Sequence, residues 1–286
     1  MSRSLPMLHQ QSYIDAVLPR MTICDIGAAL LQAEPPPYLS FIDAGLATLI
    51  AAEPDQKALP ALRSKFPPPH RILDKAIGRG GPATLRLTNT GYTSSLYEPN
   101  LALMEKFQNL AEHCQVIDRI PIETVRLDDV LDGAAPDFLK MDVQGAELDV
   151  LDGASTALKS TLVVQTEVEF IELYEGQPLF ADIDSCLRQA GFQFHTFLGS
   201  ATRTYKPVTL PKGGALGVKQ LLWGEAVYIR SIESWSSLES AALIKMAVLL
   251  QDLYQSFDAV AAILQIADQR DNTTLAPQFF RTLSGG

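Results

Sequence analysis

Short apolar runs alternate with segments of helical periodicity along most of the chain. Each apolar run is short enough for a buried strand and ends near a turn residue or an acid. Strands are predicted at MTICDIGA (21–28), ATLIAAEP (47–54), RILDKAIG (71–78), ATLRLTN (83–89), DFLKMDV (137–143), TLVVQTEVEF (161–170), FQFHTFLG (192–199) and EAVYIRS (225–231). The last two are predicted to form a late strand pair.

Helical spacing fills the gaps between most of these strands. Helices are predicted at PPPYLSFIDAGL (35–46), DQKALPALRSKF (55–66), LALMEKFQNLAEHC (101–114), GAELDVLDGAST (145–156) and FADIDSCLRQAG (180–191). Pro60 falls within the second of these helices, where it interrupts the pattern. Strands that alternate with helices indicate crossover connections, so the pattern predicts an α/β fold with a mainly parallel sheet and helices on both faces.

The C-terminal part of the chain has a different pattern. No strand pattern appears after Ser234, and residues 236–256 and 257–271 predict two helices. The first is apolar almost all round, so either the main domain or a second subunit should bury it; a homodimer through these helices is one expectation. We therefore divide the chain into an N-terminal helical extension (1–20), a main domain (21–232) and a C-terminal helical segment (233–286).

Charge and composition narrow the classes of partner. The formal net charge is −10, from 23 basic and 33 acidic residues, and without a basic cluster this argues against nucleic acid as the main partner. Three widely spaced cysteines fit neither a disulfide framework nor a zinc site, and indicate reduced thiols.

The longest apolar stretch, residues 241–250, is half of the roughly 20 residues that a membrane span needs. The N-terminus lacks the apolar core of a signal peptide, so we expect a soluble cytoplasmic protein without a membrane span.

Acidic residues lie at the ends of the predicted strands, where open α/β sheets bind their ligands. They are Asp25, Glu53, Asp74, Asp142, Glu167 and Glu169. A carboxylate at the end of the second strand, such as Glu53, typically accepts two hydrogen bonds from a ribose diol. The alternative for Glu53 is a solvent-exposed acid that precedes a helix.

The first strand-to-helix turn indicates which nucleotide ligand fits. Gly27 is the sole glycine in this turn, while Ala29 and Gln32 stand at the two positions where dinucleotide folds carry further glycines. Asp25 precedes the glycine and would repel a phosphate. Together these residues argue against a nicotinamide-linked oxidoreductase and favour a ligand with a ribose, a positive charge and no phosphate. S-adenosylmethionine has these properties.

One stretch, FLKMDVQGAELDVLDGA (138–154), closely resembles the signature of the FkbM family of S-adenosylmethionine-dependent methyltransferases. Further segments agree with the family in order: ICDIGA, AAEPDQKAL, KAIGRGGPATL, YTSSL, VRLDDVL, EVEFIELYEGQPLFADI and LLWGEAVYIR. The resemblance covers roughly residues 20 to 232 and implies that this is a methyltransferase domain. It implies a class I methyltransferase fold, Rossmann-like, with a seven-stranded, mainly parallel sheet whose last strand is antiparallel. It also implies O-methylation, commonly of a sugar or polyketide hydroxyl.

Three positions depart from the family pattern. Ala29 stands where the family often has Asn, Leu31 where it often has Gly, and Gln144 where it often has Glu. Gln144 removes a carboxylate, so the role of base is not assigned there. The same three residues support the alternative of a non-catalytic binding or scaffold module that keeps the fold.

The site residues follow from the strand ends and the resemblance together. The residues expected to contact the cofactor are Asp25, Gly27, Ala28, Glu53, Pro54, Asp74, Ala76, Ile77, Ser94, Ser95 and Asp142. Asp142 ends the strand beside the expected methyl position and is the first choice for the base. Glu167 and Glu169 share a face of the next strand, where they are expected to accept the alcohol proton or orient the acceptor. For Ser94 and Ser95, an ordinary turn is the alternative.

Four further features of the sequence leave alternatives open. The strand-end acids also suit a divalent cation, which would anchor a diol of the acceptor. Lys140 either reaches out at the edge of the sheet or pairs with an acid. Glu147 either stabilises the start of a helix or belongs to the site. His195 is expected to be structural or to face the substrate. The predicted activity is O-methyl transfer to a sugar, glycan or secondary metabolite.

Overall fold

Two β-sheets organise the protein, whose computed structural model describes residues 7–30, 35–209, 217 and 219–284. The strands are β1 (Met21–Ile26), β2 (Ala47–Ala52), β3 (Arg71–Leu73), β4 (Ala76–Ile77), β5 (Gly81–Thr88), β6 (Val116–Val125), β7 (Phe138–Met141), β8 (Val163–Glu169), β9 (Phe192–Thr202) and β10 (Leu221–Arg230). The large sheet has seven strands in the order β3-β2-β1-β7-β8-β10-β9, and the small sheet has the order β4-β6-β5.

The large sheet has the topology that the family resemblance implies. Its strands β3, β2, β1, β7 and β8 run parallel, whereas β10 is antiparallel to both of its neighbours, β8 and β9. From the centre of the sheet outward the order is β1, β2, β3 on one side and β7, β8, β10, β9 on the other, so the last strand of the chain lies between β8 and β9. The class I methyltransferase fold with an antiparallel last strand is therefore confirmed.

Eleven α-helices lie within the described residues. They are α1 (Ser12–Asp15), α2 (Leu39–Asp43), α3 (Leu59–Lys65), α4 (Leu101–Met104), α5 (Leu127–Val130), α6 (Glu147–Asp152), α7 (Ala157–Ser160), α8 (Phe180–Gln189), α9 (Ser240–Tyr254), α10 (Phe257–Asp271) and α11 (Leu275–Ser284). Short 3-10 helices cover Leu8–Gln10, Ala111–His113 and Ile232–Ser237. The two helices predicted in the C-terminal part are confirmed as α9 and α10, and α11 adds a third.

Several sequence predictions are wrong in the middle of the chain. The helix predicted over 101–114 is reduced to α4 and the 3-10 turn Ala111–His113, because backbone groups in between pair with another loop. Gln108 donates to the Thr204 carbonyl at 2.9 Å, and Lys206 donates to the Lys106 carbonyl at 2.8 Å. These bonds replace those that would continue the helix.

The segment RILDKAIG is not one strand. It divides into β3 of the large sheet and β4 of the small sheet, with Asp74 exposed between them. The neighbouring strand β6 has no strand pattern in the sequence, because charged residues and Pro121 interrupt its apolar alternation. Pro60 occupies the first turn of α3, which a proline tolerates, and so it does not interrupt that helix.

Successive side chains along the strands of the large sheet pack into two separate hydrophobic cores, one on each face. On one face, Ile23, Phe138 and Val227 pack with residues of α9 and α10. On the other face, Leu139 and Val164 pack with residues of α6 and α8. This alternation leaves successive strand residues on opposite faces, and it decides which strand-end acids share a face.

Helix α9 is buried by its own chain. Its Lys245 Nζ lies 3.0 Å from both carboxylate oxygens of Asp137, which precedes β7. Asp252, whose side chain is fully buried, accepts hydrogen bonds from the His9 backbone and ring. The main domain therefore covers the apolar helix, as one of the two expected arrangements requires. The homodimer and the division into three segments stay predictions.

We expect the pair between Lys245 and Asp137 to stabilise the docking of α9. Replacing Lys245 by Met keeps the aliphatic stem but leaves the Asp137 carboxylate without its cation. The free energy of unfolding should fall by about 1–3 kcal/mol, less than for a fully enclosed pair because part of Lys245 is exposed. Urea denaturation measures this loss. Lys159→Met, on an exposed lysine of α7, is the control and should leave the urea midpoint unchanged; equal midpoints for all three proteins would contradict the expectation.

No helix in the described ranges is both long enough and apolar enough to cross a membrane. The cytoplasmic location stays a prediction.

Candidate active site

Parallel strands bring most of the predicted acids to one edge of the large sheet. Asp25, Asp142 and Glu167 lie on neighbouring strand ends, since Ile26 pairs with Met141 and Met141 pairs with Thr166. Glu53 follows β2, and Glu169 ends β8. By the alternation of side chains along each strand, these five acids belong to the face of the large sheet that α9 covers. The structure therefore brings together the acids that the strand ends predicted, apart from Asp74.

Gln144 connects two of these carboxylates. Its amide nitrogen Nε2 donates to Asp142 Oδ1 at 2.8 Å and to Glu167 Oε2 at 3.0 Å. Its amide oxygen Oε1 accepts a hydrogen bond from the Tyr174 hydroxyl at 3.3 Å. An amide nitrogen carries two hydrogens, so one side chain holds both carboxylates in place. A carboxylate at position 144 could not donate to either of them.

The backbone of the turn between β7 and α6 presents this amide. Gln144 has a φ of 55° and Gly145 a φ of 93°, a left-handed pair that reverses the chain directly after the strand. Ser95 holds the turn from outside, because its hydroxyl donates to the Gln144 carbonyl at 2.6 Å. The single hydroxyl hydrogen of Tyr174 is shared between the Gln144 amide oxygen and the Thr93 carbonyl, which is nearer at 3.0 Å. Ser95 therefore fixes the turn that carries Gln144, and its predicted contact with a cofactor stays a prediction.

Four acids cluster at this turn, of which Glu147 and Glu169 are buried and Asp142 and Glu167 are half-buried. Burial raises the pKa of Glu167 well above its usual range, and the nearby Asp142 and Glu169 carboxylates raise it further. Burial also raises the pKa of Glu169 well above its usual range, with Glu147 and Asp142 adding to the effect. Glu147 is 2% exposed, and burial raises its pKa to about 7 even though the Val143 N–H donates to it at 2.9 Å. Glu147 thus serves both the helix start and the acid cluster.

The raised pKa of Glu147 predicts a stability change with pH. Below about pH 4.5 the side chain is protonated both folded and unfolded, while above about 7 the folded protein must hold a buried charge. Stability contributed by this group is therefore lost as the pH rises between those values. We expect Glu147→Gln, which can still accept from Val143, to raise the thermal midpoint at pH 8 more than at pH 4.5. A thermal melt series over this range would contradict the expectation if the difference from the wild type were constant.

Asp25 is fully engaged within the chain. Its Oδ2 accepts the Tyr38 hydroxyl at 2.5 Å, and its Oδ1 lies 3.4 Å from Lys140 Nζ. Only 3% of Asp25 is exposed. Lys140 therefore pairs with an acid, which was one of its two expected roles. Asp25 acts as a buried counter-charge to Lys140 in this arrangement, and its other oxygen is occupied by the Tyr38 hydroxyl.

Glu53 occupies the position predicted for a ribose-binding acid. It is 6% exposed, so the alternative of an exposed acid is wrong. Its Oε1 accepts the Asp55 backbone N–H at 2.8 Å, which leaves further lone pairs for a ligand. Burial raises the pKa of Glu53 to about 6. The side chain is ionised at neutral pH and suited to accept hydrogen bonds from hydroxyl groups. Pro54 follows it at the surface of the site and is half-buried.

The glycine turn after β1 lies against the end of β7. Gly27 has a φ of 80°, and its backbone N–H donates to the Ala52 carbonyl at 3.0 Å. A Cβ at Gly27 would lie 2.0 Å from the Asp142 carbonyl oxygen. Ala28 is buried beside it and donates to the same Ala52 carbonyl. This turn therefore joins β1, β2 and β7 at the candidate site. Leu31 and Gln32, two departures noted in the sequence, lie outside the described residues.

The remaining predicted contacts make no hydrogen bond to Asp142, Gln144 or Glu167 among the described residues. Asp74 is exposed, and its nearest cation is Lys75 at 3.9 Å. Ala76 and Ile77 form β4 of the small sheet, where both are buried. Ser94 accepts the Thr88 backbone N–H at 3.1 Å, as an ordinary turn residue does. Their contacts to a cofactor stay predictions.

His195 is structural in this arrangement. Its Nε2 lies 2.7 Å from the Ser256 hydroxyl, which joins β9 to the junction of α9 and α10. Met141 is fully buried in the core. All three cysteines are free thiols, as the sequence predicted.

Sequence reasoning missed the polar residues that support the acids. Gln165 donates to Glu225 at 2.7 Å and accepts from the Tyr254 hydroxyl at 2.9 Å. Gln165 has the same parity as Glu167 and Glu169, which is a signal that the sequence contained. Tyr38 and Tyr174 had no such signal, because loops bring them to the site.

No group of three or more His, Cys, Asp or Glu side chains in the described part of the chain is arranged to hold a metal ion. The bridged pair instead receives the Gln144 amide. The divalent cation that the sequence left as an alternative therefore finds no assembled site among these residues.

Comparison with known proteins identifies relatives of this chain. The sequence profile of the methyltransferase FkbM domain matches residues 25–194, which is more than half of the chain. The 2-O-methyltransferase NoeI of Sinorhizobium fredii is 34% identical over 147 residues, which are 48% of this chain and 60% of NoeI. The match therefore spans less than two thirds of that relative.

Two solved structures match this chain over about three quarters of its length. The precorrin-6y C5,15-methyltransferase of Geobacter metallireducens is 13% identical, with a TM-score of 0.35, over 76% of this chain and 85% of that one. A putative S-adenosylmethionine-dependent methyltransferase of Listeria monocytogenes is 9% identical, with a TM-score of 0.38, over 77% of this chain and 95% of that one. At these scores the observed strand order, rather than the superpositions, carries the fold assignment.

Proposed function

Because this chain belongs to the FkbM methyltransferase family, we propose that it uses S-adenosylmethionine to methylate a hydroxyl group of a sugar, glycan or secondary metabolite. The observation that carries the proposal is the carboxylate pair of Asp142 and Glu167, which the Gln144 amide bridges at the carboxyl edge of the sheet. Similarity to a 2-O-methyltransferase supports oxygen as the methylated atom.

The donor set at the strand ends fits S-adenosylmethionine. This cofactor carries a ribose diol and two positive groups, an ammonium and a sulfonium, and no phosphate. Glu53 has carboxylate lone pairs for the diol, and the acids of the neighbouring strands favour positive charge. When bound, the cofactor supplies a methyl group on a positively charged sulfur, which an alcohol oxygen can displace.

Within the proposed reaction, Asp142 accepts the proton of the alcohol. It is half-buried at the strand end, so an acceptor can reach it, and the Gln144 N–H fixes one of its oxygens. Glu167 is the weaker candidate, because burial and the nearby Asp142 carboxylate raise its pKa well above its usual range and so favour its protonated form. Proton removal contributes roughly 10²- to 10⁴-fold, and alignment of the reacting atoms contributes the rest.

Glu169 stays part of the proposal as a residue that orients the acceptor. It is 3% exposed and lies one step beyond Glu167 on the same face of β8. Burial raises its pKa well above its usual range, which favours the protonated form, and a protonated carboxyl group can donate a hydrogen bond as well as accept one.

Calorimetric titration with S-adenosylhomocysteine tests the cofactor assignment. We expect saturable heat and an upward thermal shift. Absence of both at millimolar ligand would contradict the proposal. Transfer of a radiolabelled methyl group to a panel of sugars and natural-product alcohols then tests turnover. Binding without turnover on every acceptor would instead favour the non-catalytic module. Two observations support that alternative: Gln144 replaces an acid, and Asp25 already accepts a hydrogen bond from Tyr38.

A further inference from the structure

Glu225 is a further acid at the edge of the large sheet where the bridged carboxylates lie. It belongs to β10 and pairs with Glu167 of β8 across the antiparallel ladder, so the two side chains share a face of the sheet. Glu167 in turn lies beside Asp142, to which the Gln144 amide bridges it. Asp142, Glu167 and Glu225 therefore form a row across the three adjacent strands β7, β8 and β10.

A hydrogen-bond chain from the C-terminal segment holds the Glu225 carboxylate. The Tyr254 hydroxyl, at the end of α9, donates to Gln165 Oε1 at 2.9 Å, and Gln165 Nε2 donates to Glu225 Oε1 at 2.7 Å. Gln165 is 5% exposed. Because a carboxylate accepts hydrogen bonds, the amide nitrogen must face Glu225, which leaves the amide oxygen for Tyr254. One orientation of the amide satisfies both partners, so α9 fixes where this carboxylate lies.

The second carboxylate oxygen of Glu225 is open. Oε2 has no hydrogen-bond partner within the described ranges, and it is not one of the enclosed polar atoms that lack a partner there. The residue as a whole is half-buried. A carboxylate that is fixed at one oxygen and open at the other is suited to accept a hydrogen bond from a ligand.

Glu225 is not held by a cation. The described Lys, Arg and His side chains form no ion pair with it, and Lys140 Nζ lies against Asp25 instead, at 3.4 Å. Burial raises the pKa of Glu225, while the hydrogen bond from Gln165 and the charge of Lys140 oppose that rise. A role as the direct counter-charge of a lysine therefore does not account for this acid.

Strand order places Glu225 at one end of the row of acids. Neighbouring strands are about 4.8 Å apart, so β10 and β7 are separated by roughly 10 Å, with β8 between them. Side chains from β7 and β10 can therefore contact different hydroxyl groups of one sugar-sized molecule. Glu53, which is predicted to bind the ribose, follows β2 on the other side of Asp142. Glu225 thus lies at the end opposite the proposed ribose site.

We propose that Glu225 binds a second hydroxyl group of the methyl acceptor, and that Gln165 and Tyr254 position it for this contact. The acceptor is then a polyhydroxylated molecule, such as a saccharide, rather than an alcohol with a single hydroxyl. The assignment rests on the proposed methyltransferase function and narrows its range of acceptors. It also gives α9 a part in the site, although α9 lies outside the matched FkbM domain (25–194).

Acceptors that differ in one hydroxyl test this contact. The probes are galactose, glucose, mannose, their monodeoxy analogues and cyclohexanol, a ring with a single hydroxyl, in an assay of radiolabelled methyl transfer. We expect methylation of at least one of the sugars and not of cyclohexanol. Removing the hydroxyl that Glu225 contacts should raise KM about tenfold or more, since a hydrogen bond to a charged group is lost.

Glu225→Gln keeps an oxygen that can accept from Gln165 but removes the charge. KM for the methylated sugar should rise about three- to tenfold, because charge-assisted hydrogen bonds are roughly twice as strong as neutral ones, while the affinity for S-adenosylhomocysteine stays unchanged. The KM difference between that sugar and the deoxy analogue should shrink by the same factor. Glu233→Gln makes the same change at an exposed acid beyond the other end of β10 and should leave KM unchanged.

Tyr254→Phe tests the positioning by α9. It removes one hydroxyl and should raise KM about two- to fourfold at unchanged kcat. In the Glu225→Gln background it should have little further effect, because Tyr254 acts through Glu225. Tyr13→Phe removes a hydroxyl that is hydrogen-bonded to Thr282 and is the matched control. Thermal melts establish that each variant is folded, and Glu225→Gln alone keeps the test decisive if Tyr254→Phe is not.

An unchanged KM in Glu225→Gln would overturn the proposal, as would methylation of cyclohexanol in preference to every sugar. A matching loss of S-adenosylhomocysteine affinity in Glu225→Gln would assign this residue to the cofactor and overturn it too. Fully additive effects of Tyr254→Phe and Glu225→Gln on KM would overturn the positioning role. A chain that binds S-adenosylhomocysteine but methylates none of the sugars would overturn the proposal and leave the cofactor assignment intact, whereas absence of that binding would contradict the proposed function and this proposal with it.

Discussion

Asp142→Asn is expected to lower kcat for methyl transfer by roughly 10²- to 10⁴-fold, while the affinity for S-adenosylhomocysteine changes little. The substitution keeps the shape of the side chain and an oxygen that can accept the 2.8 Å hydrogen bond from Gln144. It removes the negative charge that would accept the alcohol proton. A turnover assay against pH, together with calorimetry, separates the loss of a base from the loss of binding.

Two further substitutions sharpen that experiment. Asp129→Asn makes the same chemical change at an exposed acid of α5 and should leave kcat unchanged. Glu167→Gln should lower kcat less than Asp142→Asn, because burial raises the pKa of Glu167 and favours its protonated form, which Gln resembles. Full turnover in Asp142→Asn would show that another group accepts the proton. A larger loss in Glu167→Gln than in Asp142→Asn would reverse the two roles.

The location of the site could be predicted from the sequence because strand ends obey simple geometry. Asp25, Glu53, Asp142 and Glu167 each follow or end an apolar run, and parallel strands end at one edge. Residue parity then places Glu167 and Glu169 on the same face, as the structure confirms. The position of these acids at one edge and on one face therefore follows from the apolar runs and the residue alternation within each strand.

The contacts that occupy these acids could not be predicted in the same way. Tyr38 reaches Asp25 from a loop, and Tyr174 reaches Gln144 across 30 residues of sequence. The sequence around either tyrosine does not indicate which residue its hydroxyl contacts. The same reason explains the wrong helix over 101–114: its spacing is helical, but the backbone of Gln108 pairs with Thr204 in a loop almost 100 residues away.

The position of Asp142 also depends on Gly27, for which the sequence predicts a turn and a cofactor contact but no contact with β7. Gly27 combines two constraints, a positive φ of 80° and the contact with the Asp142 carbonyl, which a Cβ would approach to 2.0 Å. The first constraint concerns the backbone of the turn itself. The second couples that turn to β7, so a side chain at this position would push the end of β7 and the base away from β1.

Gly27→Ala is therefore expected to lower the free energy of unfolding by about 2–5 kcal/mol and to abolish measurable binding of S-adenosylhomocysteine. Gly45→Ala is the matched control, because Gly45 has a φ of 70° but no atom within 4 Å of its Cβ position. That variant should lose only the backbone term, about 1–2 kcal/mol, and keep its ligand affinity. Urea denaturation and calorimetry on both variants measure the difference. Equal losses would mean that backbone conformation alone explains Gly27, and that contact with β7 does not hold the site together.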